Sequence, residues 1–486
     1  MERVRVGIGL LLAGSVGLTA CGASGPAAAP TRSPSPTPTP TRDFKPGAAG
    51  VGDPYFPGYG NGGYDVTAYT VKVRYDPATD QLSGVTTVRG SATADLSSFN
   101  LDLAGLKVSG VAVDGAAAKH RQEENELVVT PAAGLVAGNG FTAEITYAGV
   151  PKPLKNEVLG GGDGGWLHTS DGAIAVGQPE SASTWFPVND HPSDKATYQF
   201  EITVPDGLTA VSNGVPGGKS SAGGWTTWTW AENTPMASYL STVAIGTFRL
   251  TQGEHRGRPV FHAVTSKVAK GAADASIAKT LKVADYLESV FGPYPVEAYG
   301  GVVVSDDRIR YALETQSRPV YSAGFFRRGE NTGVVAHELA HQWFGNSVAL
   351  KRWQDIWLNE GLSSYAEWLW AEHDGGRTAQ AEFDARYAGS PDRVWRTPPG
   401  EPGVRNLFSE SVYKRGAMTV HALRMTVGDQ AFFEILKSWA AQKRDDNATT
   451  AEFVALAERV ARTELTSLFD AWLMGTTRPT RPEPPR

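Results

Sequence analysis

The sequence predicts a multidomain α and β protein, with an all-β domain first and a mixed α/β domain after it. Three observations predict this. Short runs of alternating apolar and polar residues, separated by Gly and Asp turns, fill residues 60 to 250. No strong helical periodicity precedes about residue 270, whereas apolar residues recur at helical spacing beyond it. At 486 residues, 41% of them hydrophobic, the chain is long enough to bury two or three cores.

The first segment reads as an export signal. Arg3 and Arg5 precede an apolar run, residues 6–16, that is too short to span a membrane. Leu18-Thr19-Ala20-Cys21 follows and resembles the lipobox of bacterial lipoprotein signal peptides, in which the cysteine is lipidated and becomes the new N-terminus. Cys21 is the only cysteine in the chain, so intrachain disulfides and multi-thiolate metal sites are excluded. The expectation is a signal peptide over 1–20 and an extracytoplasmic protein tethered to the cell membrane by lipid at Cys21. An ordinary secretory signal with an incidental cysteine is the alternative. Residues 21–58, rich in Pro, Ala and Thr, read as a semi-rigid linker, because alternating prolines favour extended backbone and build no core. The net charge of −6, without a basic cluster, argues against a nucleic-acid partner.

Residues 59–249 carry the β pattern, for example Val66, Tyr69, Val71 and Val73, then Tyr198-Gln199-Phe200-Glu201-Ile202-Thr203-Val204. Residues 250–478 form the second domain. Ile277, Leu281, Ala284, Leu287 and Phe291 predict a helix that Gly292-Pro293 stops. A strand at Gly301-Val302-Val303-Val304 comes next. Further helices are expected over 331–344, over 354–372 and from about residue 411. Thr449-Thr450-Ala451-Glu452 reads as a capping box for one more. Residues 479–486 read as a Pro- and Arg-rich tail.

The expected helix at 331–344 contains His337-Glu338-Leu339-Ala340-His341. Residues four apart share a helix face, so His337 and His341 can present two imidazoles to one ion, with Glu338 beside them. Neutral imidazoles suit Zn²⁺, which lowers the pKa of a bound water to about 7. An amphipathic helix with two surface histidines would show the same spacing. Eighteen residues separate His341 from Glu360, a third donor. Two His and one Glu, leaving a position for water, is the composition of a catalytic rather than a structural zinc site, with one ion per chain.

The run from His337 to Gly345, followed by Trp353 and Leu358-Asn359-Glu360-Gly361, resembles the aminopeptidase N family of zinc peptidases. The resemblance extends from about Tyr64 to Thr477. It implies a β-sheet N-terminal domain and a thermolysin-like α/β catalytic domain. Asp190-His191-Pro192-Ser193-Asp194 and Ser212-Asn213-Gly214 also fall where that family has comparable segments. The resemblance implies His337, His341 and Glu360 as zinc ligands and Glu338 as general base. It implies Tyr413, in Tyr413-Lys414-Arg415-Gly416, as the group that stabilises the tetrahedral intermediate. Tyr311-Ala312-Leu313-Glu314-Thr315 stands where the family has G-A-M-E-N, an edge strand lining the cleft. Only Ala312 and Glu314 are identical to it, and Tyr311 is far bulkier than glycine. Gln178-Pro179-Glu180 resembles the family segment whose Gln and Glu contact the substrate's N-terminal residue. The expected substrates are peptides with free N-termini, bound through Gln178, Glu180, Ala312 and Glu314. The family's large helical C-terminal domain is expected to be missing. Two other readings stay open: a zinc endopeptidase with an open cleft, and a surface peptide-binding lipoprotein with negligible turnover.

Overall fold

The computed structural model describes residues 22, 25, 42–156 and 162–482. Cys21 and the signal-peptide assignment over 1–20 lie outside the described residues. From Asp43 onward the described residues form one compact unit.

The described residues of the first half build three sheets. The largest runs, in spatial order, Val215–Ala222, Trp225–Ala237, Lys195–Pro205, Tyr64–Asp76, Gln81–Ala92, Gly140–Gly149, Lys107–Val113, Ala116–Ala117. Its pairs are antiparallel except Lys195–Pro205 with Tyr64–Asp76, which are parallel. Residues of Tyr64–Asp76 alternate between buried and outward-facing, so one face packs inward and the other meets solvent. The alternation seen in the sequence is therefore the pleat of half-buried strands.

The second half begins with a five-stranded sheet in the order Phe248–His255, Arg258–Thr265, Tyr299–Val304, Val320–Ser322, Ala312–Leu313. Its first strand starts before residue 250, so the sheet of the second domain begins just after Gly246. Ala312–Leu313 is the last strand of the order and, among the described residues, pairs antiparallel with Val320–Ser322 alone. The expected helix before Gly292 is two short ones, Ala272–Ala278 and Thr280–Phe291. Thr332–Ala340 and Trp357–His373 follow. Gly416–Gln442 is interrupted at Gly428, and Thr450–Ala461 starts with the predicted Thr449/Glu452 capping box. The fold is thus the expected β-sheet domain followed by an α/β domain.

Two boundaries are corrected. Residues 43–58, read as linker, belong to the compact unit. Lys45–Pro46 pairs with Leu96–Asp102. Asp53 is buried and accepts from the backbone N–H of Trp353 at 2.9 Å, while Phe56 packs edge-on to the Trp353 ring. Glycine and proline made this stretch look coreless, but its order comes from partners distant in sequence. The tail is also anchored as far as Arg481. The Tyr387 hydroxyl donates to the Pro479 carbonyl, and Arg481 pairs with Asp384 and lies over Phe383.

Candidate active site

Thr332–Ala340 starts at Asn331, whose side chain accepts from the Val334 N–H at 3.2 Å. His337 and Glu338 sit in its last turn, and His341 follows at its end. The chain then turns at Gly345, with φ +133°, where a Cβ would lie 3.1 Å from His341 Nδ1. Glycine is needed here for both the backbone angle and the space. The turn brings the Phe344 carbonyl to 3.0 Å from His341 Nδ1, so the ring donates there and its Nε2 faces inward. His337 is oriented likewise by Glu367, 2.7 Å from its Nδ1.

Glu360 lies in the first turn of Trp357–His373. This helix is fixed by its neighbours. The Trp357 indole donates to Thr450 Oγ1, and Thr450 donates to Asp355, at 2.8 and 2.6 Å. A Cβ on Gly361 would sit 3.0 Å from the Gly416 backbone, so only paired glycines let the Glu360 helix touch the segment that carries Tyr413.

These elements bring the predicted donors together. His337 Nε2 and His341 Nε2 lie 3.3 and 3.5 Å from the same Glu360 oxygen. Donors about 2.0–2.1 Å from a common tetrahedral ion are separated by about 3.4 Å, so the three fit zinc. Their electrostatics agree. Burial opposes ionisation of Glu360, but His341 and His337 outweigh it and hold the carboxyl down at about 2. Burial also opposes charging His337, yet Glu360 and Glu367 push its pKa well above the usual histidine value. The donor set therefore demands positive charge among its imidazoles, which a divalent cation supplies. His337, His341 and Glu360 would hold it.

Glu338 is buried, and burial raises its pKa to about 8 against the opposing pull of His337 and His341. Tyr413 lies in the one-turn π-helix Ser411–Arg415 and stacks over His337 at 6.0 Å, and burial, reinforced by the nearby Glu360 carboxylate, pushes its hydroxyl pKa up. Glu314, Glu338 and His341 place donor atoms within 4.8 Å of one another. Glu314 is 2% exposed, and burial raises its pKa. Its Oε1 accepts from the Tyr239 hydroxyl at 2.8 Å and from Gln178 Nε2 at 3.2 Å. Its carbonyl accepts from Asn346 and Gln342 at 2.8 and 3.3 Å.

A cleft of about 380 Å³ opens onto these groups, and Gln178, Ala312, Glu314, Glu338 and Tyr413 line it together with the three ligands. Glu180 is not among the lining residues. Burial, reinforced by Asp190, raises its pKa to about 7. Tyr311, in place of the family's glycine, forms part of the wall, and its hydroxyl donates to the Val176 carbonyl at 3.3 Å.

Sequence reasoning missed Glu367, Tyr239 and Arg310. Glu367 lies seven residues after Glu360, two turns along the same face, and that spacing was a usable signal. Arg310 stands directly before the Tyr311–Thr315 segment, whereas Tyr239 joins the site only through tertiary packing.

Three protein donors beside an open cleft, with a buried carboxylate next to them, make a catalytic rather than a structural zinc site, of the metallopeptidase kind. Residues 65–240 match the Peptidase M1 N-terminal domain, and residues 325–472 match the Peptidase family M1 domain. Human glutamyl aminopeptidase is 28% identical over 327 residues, 61% of this chain and 33% of its own length. Rice aminopeptidase M1-D is 28% identical over 437 residues, 83% of this chain and 49% of its own. The chain thus spans a third to a half of these curated relatives. The M1 zinc metallopeptidase of Deinococcus radiodurans superposes with TM-score 0.81 at 31% identity, covering 90% of this chain and 99% of that one. A mutant of it is known bound to a Tyr-Ser-Ala substrate. The chain belongs to the M1 family of zinc metallopeptidases.

Proposed function

We propose that the protein is a zinc aminopeptidase that removes the first residue of short peptides outside the cytoplasm. The observation that carries this reading is Glu314, a buried carboxylate in the cleft beside the ligand set. Its oxygen is already bonded to Tyr239 and Gln178, and Glu338 and Glu360 lie close by. Such a concentration of acid is costly to ionise unless a cation enters. A peptide's α-ammonium satisfies it, and an acylated N-terminus does not.

Zinc, when held by His337, His341 and Glu360, supplies Lewis acidity toward water and the scissile carbonyl. The residues do the rest. Glu338 takes a proton from the attacking water and returns it to the leaving amine. The Tyr413 hydroxyl donates to the developing oxyanion, and one such donor contributes about 3–4 kcal/mol. Gln178 and Glu314 orient the amine end. Attachment to the membrane through Cys21 is part of the proposal and rests on the sequence around that residue. Among the described residues, no helix is long and apolar enough to cross a membrane.

The test offers one peptide in free and N-acetylated forms, with and without a chelator. Release of the first residue from the free form only, lost with chelator and restored by zinc, supports the proposal. Internal cleavage of both forms makes the protein an endopeptidase. Zinc and peptide binding without products makes it a binding protein.

A further inference from the structure

The cleft is strongly acidic. Glu314, Glu338, Glu360 and Glu367 line it, and Arg310 is the one cationic side chain other than histidine among its described lining residues. Arg310 and Phe325 also border a second, open cavity of about 520 Å³, so the two volumes adjoin at this pair. The acids nearest to Arg310 in sequence face other partners. Asp306 pairs with Arg308 at 2.7 Å, and Asp307 Oδ1 lies 3.4 Å from Arg327. Arg310 Nε donates to the Asp307 carbonyl at 3.0 Å, and among the described residues no ion pair engages its guanidinium. The single bond fixes the guanidinium while its terminal nitrogens stay available for a two-bond contact with a carboxylate.

The chain direction places this group relative to the substrate. Among the described residues Ala312–Leu313 pairs on one side only, which leaves its other edge to meet an extended peptide. A peptide whose amine is held at Glu314 and that runs back along this strand passes Leu313, Ala312 and Tyr311 before it reaches Arg310. Four residues of extended chain span at most about 13 Å. An extended tripeptide spans roughly 10 Å from amine to carboxylate, which the Arg310 side chain can bridge. Without a cation there, a carboxylate would meet only the acidic field of the cleft.

We propose that Arg310 is a specificity residue that binds a carboxylate two or three residues beyond the substrate amine. For a di- or tripeptide this is the C-terminal carboxylate. The proposal rests on the aminopeptidase reading, because it takes the amine end to lie at Glu314.

The test compares kcat/KM for a tripeptide as free acid, as C-terminal amide, and as an amide with Glu at position three. Wild type is set beside Arg310→Gln and Arg310→Lys, with zinc content and melting temperature measured to establish that each variant folds. Wild type should favour the acid over the neutral amide about tenfold, as a charge-assisted pair implies. The ratio should fall to near one in Arg310→Gln and recover partly in Arg310→Lys. A preference for the Glu-containing amide that disappears in Arg310→Gln would support the site with a side chain as the source of the carboxylate. Equal rates on all three peptides in wild type, or a preference unchanged in Arg310→Gln, would overturn the inference and leave the aminopeptidase reading intact. Failure to release the first residue from any of the peptides would overturn that reading as well.

Discussion

At the scale of the residue, the site is a set of paired roles, each set by what the partner atom does. His337 would present its Nε2 to zinc because Glu367 holds its other ring nitrogen at 2.7 Å. Such an outer partner fixes the tautomer and raises ligand basicity. Glu367→Ala should weaken zinc binding about 10- to 100-fold, measured by competition with a chelator, and unchanged affinity would show that packing alone orients the ring. In the proposed mechanism Glu338 has the opposite role, a proton acceptor that is not itself a ligand. Glu338→Gln should keep zinc at one per chain while turnover falls by about 10²-fold or more. Loss of the metal instead would make Glu338 a ligand. His337, Glu338 and His341 could be read from the sequence because they share one turn of one helix. Tyr413 was legible only by resemblance, because its place beside His337 depends on the Gly361–Gly416 contact. Glu180 was legible in the same way, and it does not stand among the described residues that line the cleft.

At the scale of the element, the segment before the first long strand does more than its composition suggests. Asp53 accepts from Tyr55, Phe56 and Trp353 backbone N–H groups and faces His191, and Trp353 in turn packs against Tyr239, the hydroxyl that bonds Glu314. A Pro- and Gly-rich stretch carries no periodicity, so nothing local revealed this, and its order is imposed by a contact 300 positions away. Burial raises the Asp53 pKa, but His191 and the three N–H groups outweigh it and lower the value to about 2 from 3.8. A depressed carboxyl stabilises the fold above its unfolded pKa, and that contribution disappears as pH falls through the folded one. Asp53 should therefore contribute about 2 kcal/mol at neutral pH, lost between about pH 4 and 2. Asp53→Asn should lower the stability by that order at pH 7 and flatten the acid limb in denaturant titrations. An acid limb identical to wild type would assign the effect to other carboxylates.

At the scale of the whole molecule, the two domains build the cleft jointly. The β-sheet domain supplies Gln178 and Tyr239, and the α/β domain supplies Glu314 and the zinc ligands. Their junction is secured by Arg318, fully buried, which donates to the carbonyls of Ser212 and Gly214, and by Asn213, which donates to the Gln316 carbonyl at 2.9 Å. The order of the two halves was legible because alternation and helical periodicity are local signals. The register that brings Tyr239 to Glu314 was not, because it arises from packing between elements far apart in sequence.

The central claim is that this jointly built acid pocket selects a free amine. The most direct measurement is the ratio of kcat/KM for a free and an N-acetylated peptide in wild type and in Glu314→Ala. Removing one partner of a buried, hydrogen-bonded charge pair costs about 2 kcal/mol or more. The ratio should therefore fall roughly thirtyfold or further, with zinc content unchanged. A ratio preserved in Glu314→Ala would contradict the account and move recognition of the amine to another part of the cleft.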